Sequence, residues 1–292
     1  MIIVAENINI MSKTLGPAMR DRQAEPIQTI AISEDKAGAD YLELNIGPAR
    51  KTGSELLPWL VSRVQDVAER PLSLDTTNPD AIEAGLKLCR KRALINSVSL
   101  QPERLEKILP LVMKYDTEMI GLLWGVEGMP RDTNERCMLA VDLVYKVSES
   151  GVKNEDIWID PIATPVSGEI SQVQSTFEFL QMLSEICPGC KSIVGLSNVS
   201  NGTPADLRPY LNRTYFVMLE RCGLYAAIAD ALDEELMAIA RGMRPEIVSL
   251  IHRTMDGESP DMSSISAEEA KYVKTVRVLN GSALYSHSWL DS

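Results

Sequence analysis

The sequence predicts an α/β fold: one (β/α)8 TIM barrel domain over residues 1–292 with a C-terminal helical extension. Three observations favour it. Short apolar runs alternate with helical periodicity along the chain, eight such runs are present, and no low-complexity linker divides them. The alternation alone would also fit an open doubly wound sheet, but eight strands favour the closed barrel.

The eight predicted strands are short and almost continuously apolar, as expected for parallel strands that are covered on both sides. In chain order they span residues 2–8, 41–46, 72–75, 93–98, 119–124, 157–161, 192–196 and 225–229. A barrel built from these strands would bring all their carboxyl ends to a single rim, where enzymes of this fold keep their chemistry.

Helices are predicted between the strands from capping residues and apolar spacing. Asn78 followed by Pro79 places a side-chain cap and a first-turn proline at the start of one helix. Pro102 opens another, in which apolar residues recur at helical spacing. Asp233 caps a further helix after the last strand, and a terminal helix over residues 267–279 completes the extension.

Composition excludes several classes of function. The 292 residues carry a net charge of −12, so no basic surface is available for nucleic acid or an anionic membrane. The N-terminus lacks the basic segment of a signal peptide, and no run of about 18 apolar residues is present to span a bilayer. Five cysteines in this length are typical of reduced thiols, which predicts a cytoplasmic protein.

A metal site is not expected. Cys187 and Cys190 have the spacing of a redox pair or of half a zinc site, but the chain contains no second pair of this kind. The only histidines are His252 and His287, so four ligands cannot be assembled near the cysteines. We therefore predict a loop with two incidental thiols and no bound metal.

Four of the predicted strands end on, or run directly into, a carboxylate or an amide. These residues are Asp75, Asn96, Asp160 and Asn198. Two acceptor-only groups and two amides, with no lysine or histidine for a covalent or proton-relay site, suit a flat heterocycle rich in donors, such as a reduced pterin. A carboxylate in the position of Asp160 can accept paired hydrogen bonds from a ring N–H and an exocyclic amine.

Weaker candidates surround these four residues. Glu6 lies at the end of the first predicted strand, Gly195 would let the backbone approach a ligand closely, and Arg208 is the nearest cation for an anionic tail. Each candidate also has a structural interpretation, since a strand-end aspartate can simply cap a turn and a strand-end asparagine can simply form one. The chain has no glycine-rich nucleotide or phosphate loop and no nucleophile elbow.

The segments that carry these residues, 74–78, 93–97, 159–161 and 194–200, resemble the pterin-binding methyltransferases, and above all the methyltetrahydrofolate:corrinoid protein methyltransferases. The resemblance extends over essentially the whole chain. It implies a methyl group moving between N5 of tetrahydrofolate and the cobalt of a corrinoid (cobalamin) on a separate protein. The direction could be toward tetrahydrofolate, as in O-demethylation or methylamine and betaine breakdown, or away from 5-methyltetrahydrofolate, as in acetogenesis.

The resemblance also implies roles for individual residues. The pterin ring would be held by Asp75, Asn96 and Asp160. Asn198 would be the catalytic residue at N5, and Asn201 and Arg208 would lie toward the aminobenzoyl-glutamate tail. A corrinoid protein would dock transiently over the opening of the barrel, because the chain lacks the Asp-x-His-x-x-Gly segment that supplies a histidine ligand to cobalt. A homodimer is implied as well.

Two other functions stay open. Dihydropteroate synthases share the barrel and the aspartates, but they use a lysine in a Ser-Arg-Lys-Ser segment where this chain has Ser-Asn-Val-Ser at 197–200. The second alternative is a non-catalytic module that binds folate or docks a corrinoid protein. Such a module would make the same contacts with the ring but would not transfer a methyl group.

Overall fold

The computed structural model describes residues 1–291 as a closed barrel of eight parallel strands in chain order. The strands are β1 (Ile2–Ala5), β2 (Tyr41–Gly47), β3 (Leu72–Thr76), β4 (Leu94–Ser99), β5 (Glu118–Leu122), β6 (Ile157–Asp160), β7 (Lys191–Gly195) and β8 (Ala226–Ala229). The barrel closes where β8 pairs with β1, with Ala229 opposite Ala5. The predicted TIM barrel is confirmed, and the largest boundary difference is that β1 already ends at Ala5.

Helices cover the outside of the barrel. They are α1 (Leu15–Arg20), α2 (Ala24–Lys36), α3 (Gly53–Gln65), α4 (Pro79–Leu86), α5 (Pro102–Tyr115), α6 (Thr133–Glu149), α7 (Ile170–Ile186), α8 (Arg208–Arg221), α9 (Glu234–Ala240), α10 (Pro245–Met255) and α11 (Ala267–Leu279). The predicted C-terminal extension consists of the last three, and α10 and α11 pack against each other and against α8. Within residues 1–291 no helix has both the length and the apolar character needed to cross a bilayer.

The helix starts expected from local sequence are present. The side chain of Asn78 accepts hydrogen bonds from the backbone N–H groups of Asp80 and Ala81 at 3.0 and 3.3 Å, which satisfies two donors that the helix leaves unpaired. Asp233 caps α9 in the same way through the N–H of Leu236. Such caps contribute about 1 kcal/mol each and fix where the chain leaves each strand end.

Five side chains near the amino ends of the strands form a polar and aromatic cluster at that end of the barrel. Glu118, the first residue of β5, accepts hydrogen bonds from Tyr41 at 2.7 Å, from the indole N–H of Trp158 at 3.2 Å and from Lys191 at 2.7 Å. The Lys191 ammonium also lies over the rings of Trp158 and Tyr225, 5.0 and 5.3 Å from their centroids. We call these five residues the barrel floor. The polar groups of Glu118, Tyr41, Trp158 and Lys191 are thus satisfied within the protein at this end.

Candidate active site

The carboxyl ends of the strands bring the predicted polar residues to one opening, the barrel mouth. In the strand ladder Asn45 lies beside Asp75, and Asp75 lies beside Asn96. Asp160 is the last residue of β6 and Gly195 is the last residue of β7. Since all eight strands run in the same direction, these positions share one rim of the barrel.

Asp75 is held by its neighbour on β2. The amide nitrogen of Asn45 donates to one carboxylate oxygen of Asp75, and the amide oxygen of Asn45 accepts from the N–H of Gly47 at 3.0 Å. Burial raises the pKa of Asp75 to about 6, against the lowering effects of Arg104 and of the bond from Asn45. The second carboxylate oxygen therefore remains for a ligand that donates hydrogen bonds.

Arg104 ties the ends of β3 and β4 together from α5. Its guanidinium donates to the carbonyl oxygens of Thr76, Thr77 and Ser97 at 2.9, 2.9 and 2.7 Å. These bonds fix the backbone next to Asp75. Sequence reasoning missed this residue, because an arginine in the first turn of an amphipathic helix is typical of a solvated face.

Asn96 is oriented by a buried carboxyl that sequence reasoning also missed. The amide nitrogen of Asn96 donates to Glu43 Oε1 at 2.9 Å, and the hydroxyl of Ser73 donates to the same oxygen at 3.3 Å. Burial, followed by the charge of Asp75, raises the pKa of Glu43 well above its usual value. With its nitrogen committed to Glu43, Asn96 offers its oxygen to a ligand. The sequence signal that could have revealed Glu43 is an acidic residue between Leu42 and Leu44 in an otherwise apolar predicted strand.

Asp160 is the most buried of the predicted ring contacts, at 8% exposed. One of its oxygens accepts the N–H of Ile162 at 2.8 Å. Burial raises the pKa of Asp160 to about 7, while that bond and the positive charge of Arg136 act in the opposite direction. A carboxylate held in this way can still accept a pair of hydrogen bonds along one edge of a planar ring.

Glu6 lies on the opposite side of the mouth, just after β1. The hydroxyl of Ser197 donates to it, and burial raises the pKa of Glu6 to about 7, with smaller contributions from Asp230, which raises it, and Arg208, which lowers it. Arg208 is the first residue of α8, and its Nε donates to the hydroxyl of Ser200 at 3.1 Å. Glu6 and Arg208, which were both predicted from the sequence, therefore lie close enough for the charge of Arg208 to lower the pKa of Glu6.

Asn198 lies in a 3-10 turn, Leu196–Ser200, and is exposed at the mouth. Its amide oxygen accepts from the amide of Asn201 at 3.4 Å. A Cβ at Gly195 would come within 3.1 Å of the amide nitrogen of Asn198, which is tighter than ordinary contact. Gly195 thus makes room for the side chain of Asn198, a use of glycine that the sequence did not reveal.

A second buried acid, Glu34, reaches this side of the site from α2. It is fully buried, and one oxygen accepts the N–H of Asn7 at 3.0 Å, while the amide of Asn7 donates to Asp230 at 2.7 Å. Burial raises the pKa of Glu34 to about 8. Asp230 directly follows the carboxyl end of β8 and could be noticed in the sequence for that reason, whereas nothing in the sequence of α2 distinguishes Glu34.

The chemistry of the mouth is that of hydrogen-bond acceptors. Within residues 1–291 no three acidic, histidine or cysteine side chains are arranged to hold a metal ion. Cavities of about 630 and 890 Å³ lie elsewhere, one against the outer side of α6 and one beside Arg92, and none of the predicted site residues lines either of them.

Residues 49–241 match the family described as pterin binding enzyme, and the chain belongs to that family. The predicted family resemblance is confirmed. The chain is similar to the methylcorrinoid:tetrahydrofolate methyltransferase of Eubacterium limosum, with 28% identity over 239 residues, 81% of this chain and 88% of the relative. It is also similar to the methionine synthase of Mycobacterium leprae, with 26% identity over 242 residues, 79% of this chain but only 20% of that larger protein.

Solved structures with the same fold include dihydropteroate synthases. The enzyme of Clostridium difficile superimposes with a TM-score of 0.66 at 21% identity, covering 84% of this chain and 95% of that one. The enzyme of Xanthomonas albilineans gives a TM-score of 0.65 at 15% identity, covering 83% and 93%. At these identities the likeness establishes the barrel fold alone.

Proposed function

We propose that this protein is a methyltransferase that moves a methyl group between N5 of tetrahydrofolate and the cobalt of a corrinoid carried by a separate protein. The observation that carries the proposal is the set of acceptors at the mouth, Asp75, Asn96 and Asp160, in a chain of the pterin-binding family. The methyltransferase of Eubacterium limosum, which aligns over most of both chains, supports this chemistry.

The pterin ring is the ligand that these acceptors fit. Asp160 would accept two hydrogen bonds from the 2-amino-4-oxo edge, since a carboxylate with one oxygen on each donor matches that geometry. Asp75 and the oxygen of Asn96 would accept from N–H groups farther along the ring. Arg208 and Asn201 would face the glutamate tail, because they lie beyond the 3-10 turn that carries Asn198.

Asn198 would act at N5. Methyl transfer to tetrahydrofolate releases the N5 proton, and transfer from 5-methyltetrahydrofolate takes up one proton, so the side chain must follow a change in protonation without ionising. An uncharged amide that donates to developing charge in the transition state contributes about 2–4 kcal/mol, the range measured for one preorganised donor. The exposed position of Asn198 supports this role, since the methyl group has to reach a partner protein.

The partner would dock transiently at the mouth and supply the cobalt that accepts or gives the methyl group. We extend the proposal to one pterin-binding domain over residues 1–292, to a cytoplasmic location and to a homodimer. The outer face of α6 supports self-association, because Met138, Val141 and Tyr145 recur there at helical spacing and are 71%, 48% and 62% exposed.

The test is a spectral assay in both directions. Purified protein is mixed with methylcobalamin and tetrahydrofolate, or with reduced cobalamin and 5-methyltetrahydrofolate, and the visible spectrum of the corrinoid is followed. Transfer in either direction supports the proposal. Binding of 5-methyltetrahydrofolate with no spectral change, also when a corrinoid protein replaces free cobalamin, would instead indicate a non-catalytic folate-binding or corrinoid-docking module.

The variant Asn198→Ala tests the catalytic role. Turnover should fall about 100-fold or more, with a smaller loss of folate affinity, because the donor acts mainly in the transition state. Asn134→Ala, at an exposed position on α6, is the matched control and should keep wild-type turnover. Equal turnover in Asn198→Ala and wild type would contradict the role.

Dihydropteroate synthesis is tested separately by mixing the protein with pterin pyrophosphate and aminobenzoate. We expect no dihydropteroate, because the lysine of the Ser-Arg-Lys-Ser segment is replaced by Val199 in the matching stretch. Product formation at a rate comparable to methyl transfer would favour a pterin-condensing synthase.

A further inference from the structure

Arg136 on α6 is a completely buried cation whose direct hydrogen-bond partners are neutral. Its guanidinium donates to the carbonyl oxygen of Pro161 at 3.0 Å, to the hydroxyl of Ser175 at 2.6 Å and to the amide oxygen of Gln172 at 2.9 Å. Among the described residues, 1–291, no carboxylate lies within ion-pair distance of it. Burying a guanidinium without a contacting acid is costly, so this placement requires a reason.

The carbonyl that Arg136 holds belongs to the turn that orients Asp160. The next residue, Ile162, has φ of +68°, which is unusual for a β-branched side chain and costs about 1–3 kcal/mol unless its surroundings impose it. In this conformation the N–H of Ile162 points back and donates to Asp160 Oδ1 at 2.8 Å. The bond from Arg136 to Pro161 therefore stabilises the strained turn that fixes one oxygen of Asp160.

The charge of Arg136 complements the same carboxylate. Asp160 is 8% exposed and forms no ion pair with any residue of the described range 1–291, and the positive charge of Arg136 lowers its pKa against the effect of burial. The other groups facing this pair are Tyr215 on α8, which is fully buried and whose pKa is raised by burial, and Asp132 at the start of α6, whose charge acts on Arg136.

We propose that Arg136 is a positioning residue for the pterin: by holding the Pro161 carbonyl it fixes the turn that orients Asp160, and its positive charge complements the carboxylate that accepts hydrogen bonds from the ring. The inference rests on the proposed function for the identity of the ring, whereas the link between Arg136 and Asp160 is independent of it.

Two variants separate orientation from charge. Arg136→Lys keeps a positive charge but cannot reproduce the planar contact of Nε with Pro161 together with the bonds to Ser175 and Gln172. Arg136→Met removes both the charge and the hydrogen bonds at similar volume. Dissociation constants for 5-methyltetrahydrofolate are measured by calorimetry from pH 5.5 to 9, and thermal unfolding is recorded for each variant.

We expect Arg136→Met to move the midpoint of the pH profile upward, so that binding lost at pH 7 is partly recovered at pH 9. Arg136→Lys should keep the wild-type midpoint and bind about tenfold more weakly at every pH, because the turn is less well fixed. Arg213→Met is the matched control. It removes a different, partly buried guanidinium, which pairs with Asp233, and it should leave the midpoint of the pH profile unchanged.

An unchanged midpoint in Arg136→Met would overturn the electrostatic part, and wild-type affinity in Arg136→Lys would overturn the orienting part. If Arg136→Met does not fold, Arg136→Lys still decides the second point, and Gln172→Glu decides the first. A carboxylate in contact with Arg136 should offset its charge and raise the midpoint, and an unchanged midpoint would contradict the proposal. Failure of the wild-type protein to bind 5-methyltetrahydrofolate would instead refute the proposed function.

Discussion

The two ends of the barrel use buried carboxylates in opposite ways. At the barrel floor, Glu118 is surrounded by donors, including the ammonium of Lys191 at 2.7 Å, and both of its oxygens are engaged. At the mouth, Asp75 and Asp160 accept from an amide and from a backbone N–H, and neither forms an ion pair with a described residue within 1–291. The floor is satisfied by the protein itself, whereas the mouth retains acceptors for a ligand.

This difference has an energetic consequence. A buried acid that is already paired contributes to the free energy of unfolding, and removing it leaves its partners without an acceptor. A buried acid without a cation has a raised pKa, as at Asp160, and becomes well satisfied only when a ligand donates to it. We therefore expect substitutions at the floor to affect stability and substitutions at the mouth to affect binding.

The largest effect is expected for Asp160→Asn. The oxygen of the asparagine amide can still accept the N–H of Ile162, but the amide has no negative charge and has an NH2 group in place of the second oxygen. Folate affinity should therefore fall at least about 100-fold, while the free energy of unfolding does not decrease. Calorimetry with 5-methyltetrahydrofolate measures the first quantity and chemical denaturation the second. Asp142→Asn, at an exposed position on α6, is the matched control. Unchanged affinity would show that the ring binds elsewhere.

Glu118→Ala tests the other end. It leaves Lys191, Tyr41 and Trp158 without their common acceptor, and the free energy of unfolding should fall by about 3 kcal/mol, with folate affinity preserved. Glu118→Gln, which retains an acceptor, should lose less. A loss of folate affinity in a variant that remains folded would break the proposed division between floor and mouth.

Glu34→Gln examines the buried acid behind the mouth. The folded-state pKa of Glu34, about 8, lies above the unfolded value of 4.5, so the folded protein binds this proton more tightly and stability falls as pH rises from about 4.5 to 8. The neutral amide removes that dependence. At pH 6.5 the variant should be more stable than wild type by about 2 kcal/mol, and at pH 4.5 about equally stable, as measured by urea unfolding. A destabilised variant at pH 8 would show that the charge is needed.

The smallest effect is the pH dependence of binding in the unmodified protein. Asp160 and Asp75, with pKa values of about 7 and 6, must be ionised to accept hydrogen bonds from the ring. Affinity for 5-methyltetrahydrofolate should therefore fall about 20-fold from pH 8 to pH 6 and more steeply below pH 6. In Asp160→Asn, the only loss of affinity with falling pH should be the one caused by protonation of Asp75, near pH 6. A profile that is flat between pH 6 and pH 8 would argue against a raised pKa at Asp160.

Much of the mouth could be predicted because its residues occupy strand ends. Asp75, Asn96 and Asp160 each terminate an apolar run, and that local pattern is sufficient to place them on one rim once the strands are parallel. Glu43 was missed because a single acid between two leucines carries no local sign of its orientation. Only the register of β2 against β3 and β4 brings it to Asn96.

Arg136 shows the same limit on a helix. From the sequence it is one charged residue among several in the first turns of α6, and a charged helical residue is usually solvated. Its burial depends on α7, which supplies Gln172 and Ser175, and on the turn after β6, which supplies the Pro161 carbonyl. None of these contacts is encoded within the helix itself.

The sequence by itself determined the order of strands and helices, the places where helices begin and the acids and amides at the strand ends. These features depend on apolar periodicity, caps and prolines, which act over a few residues. Only the tertiary structure decided which charges are buried and which groups satisfy them, as with Glu34 beside Asn7 and Glu118 beside Lys191. The physical reason is that burial and electrostatic pairing depend on side chains that are distant in the chain and meet only when the barrel closes.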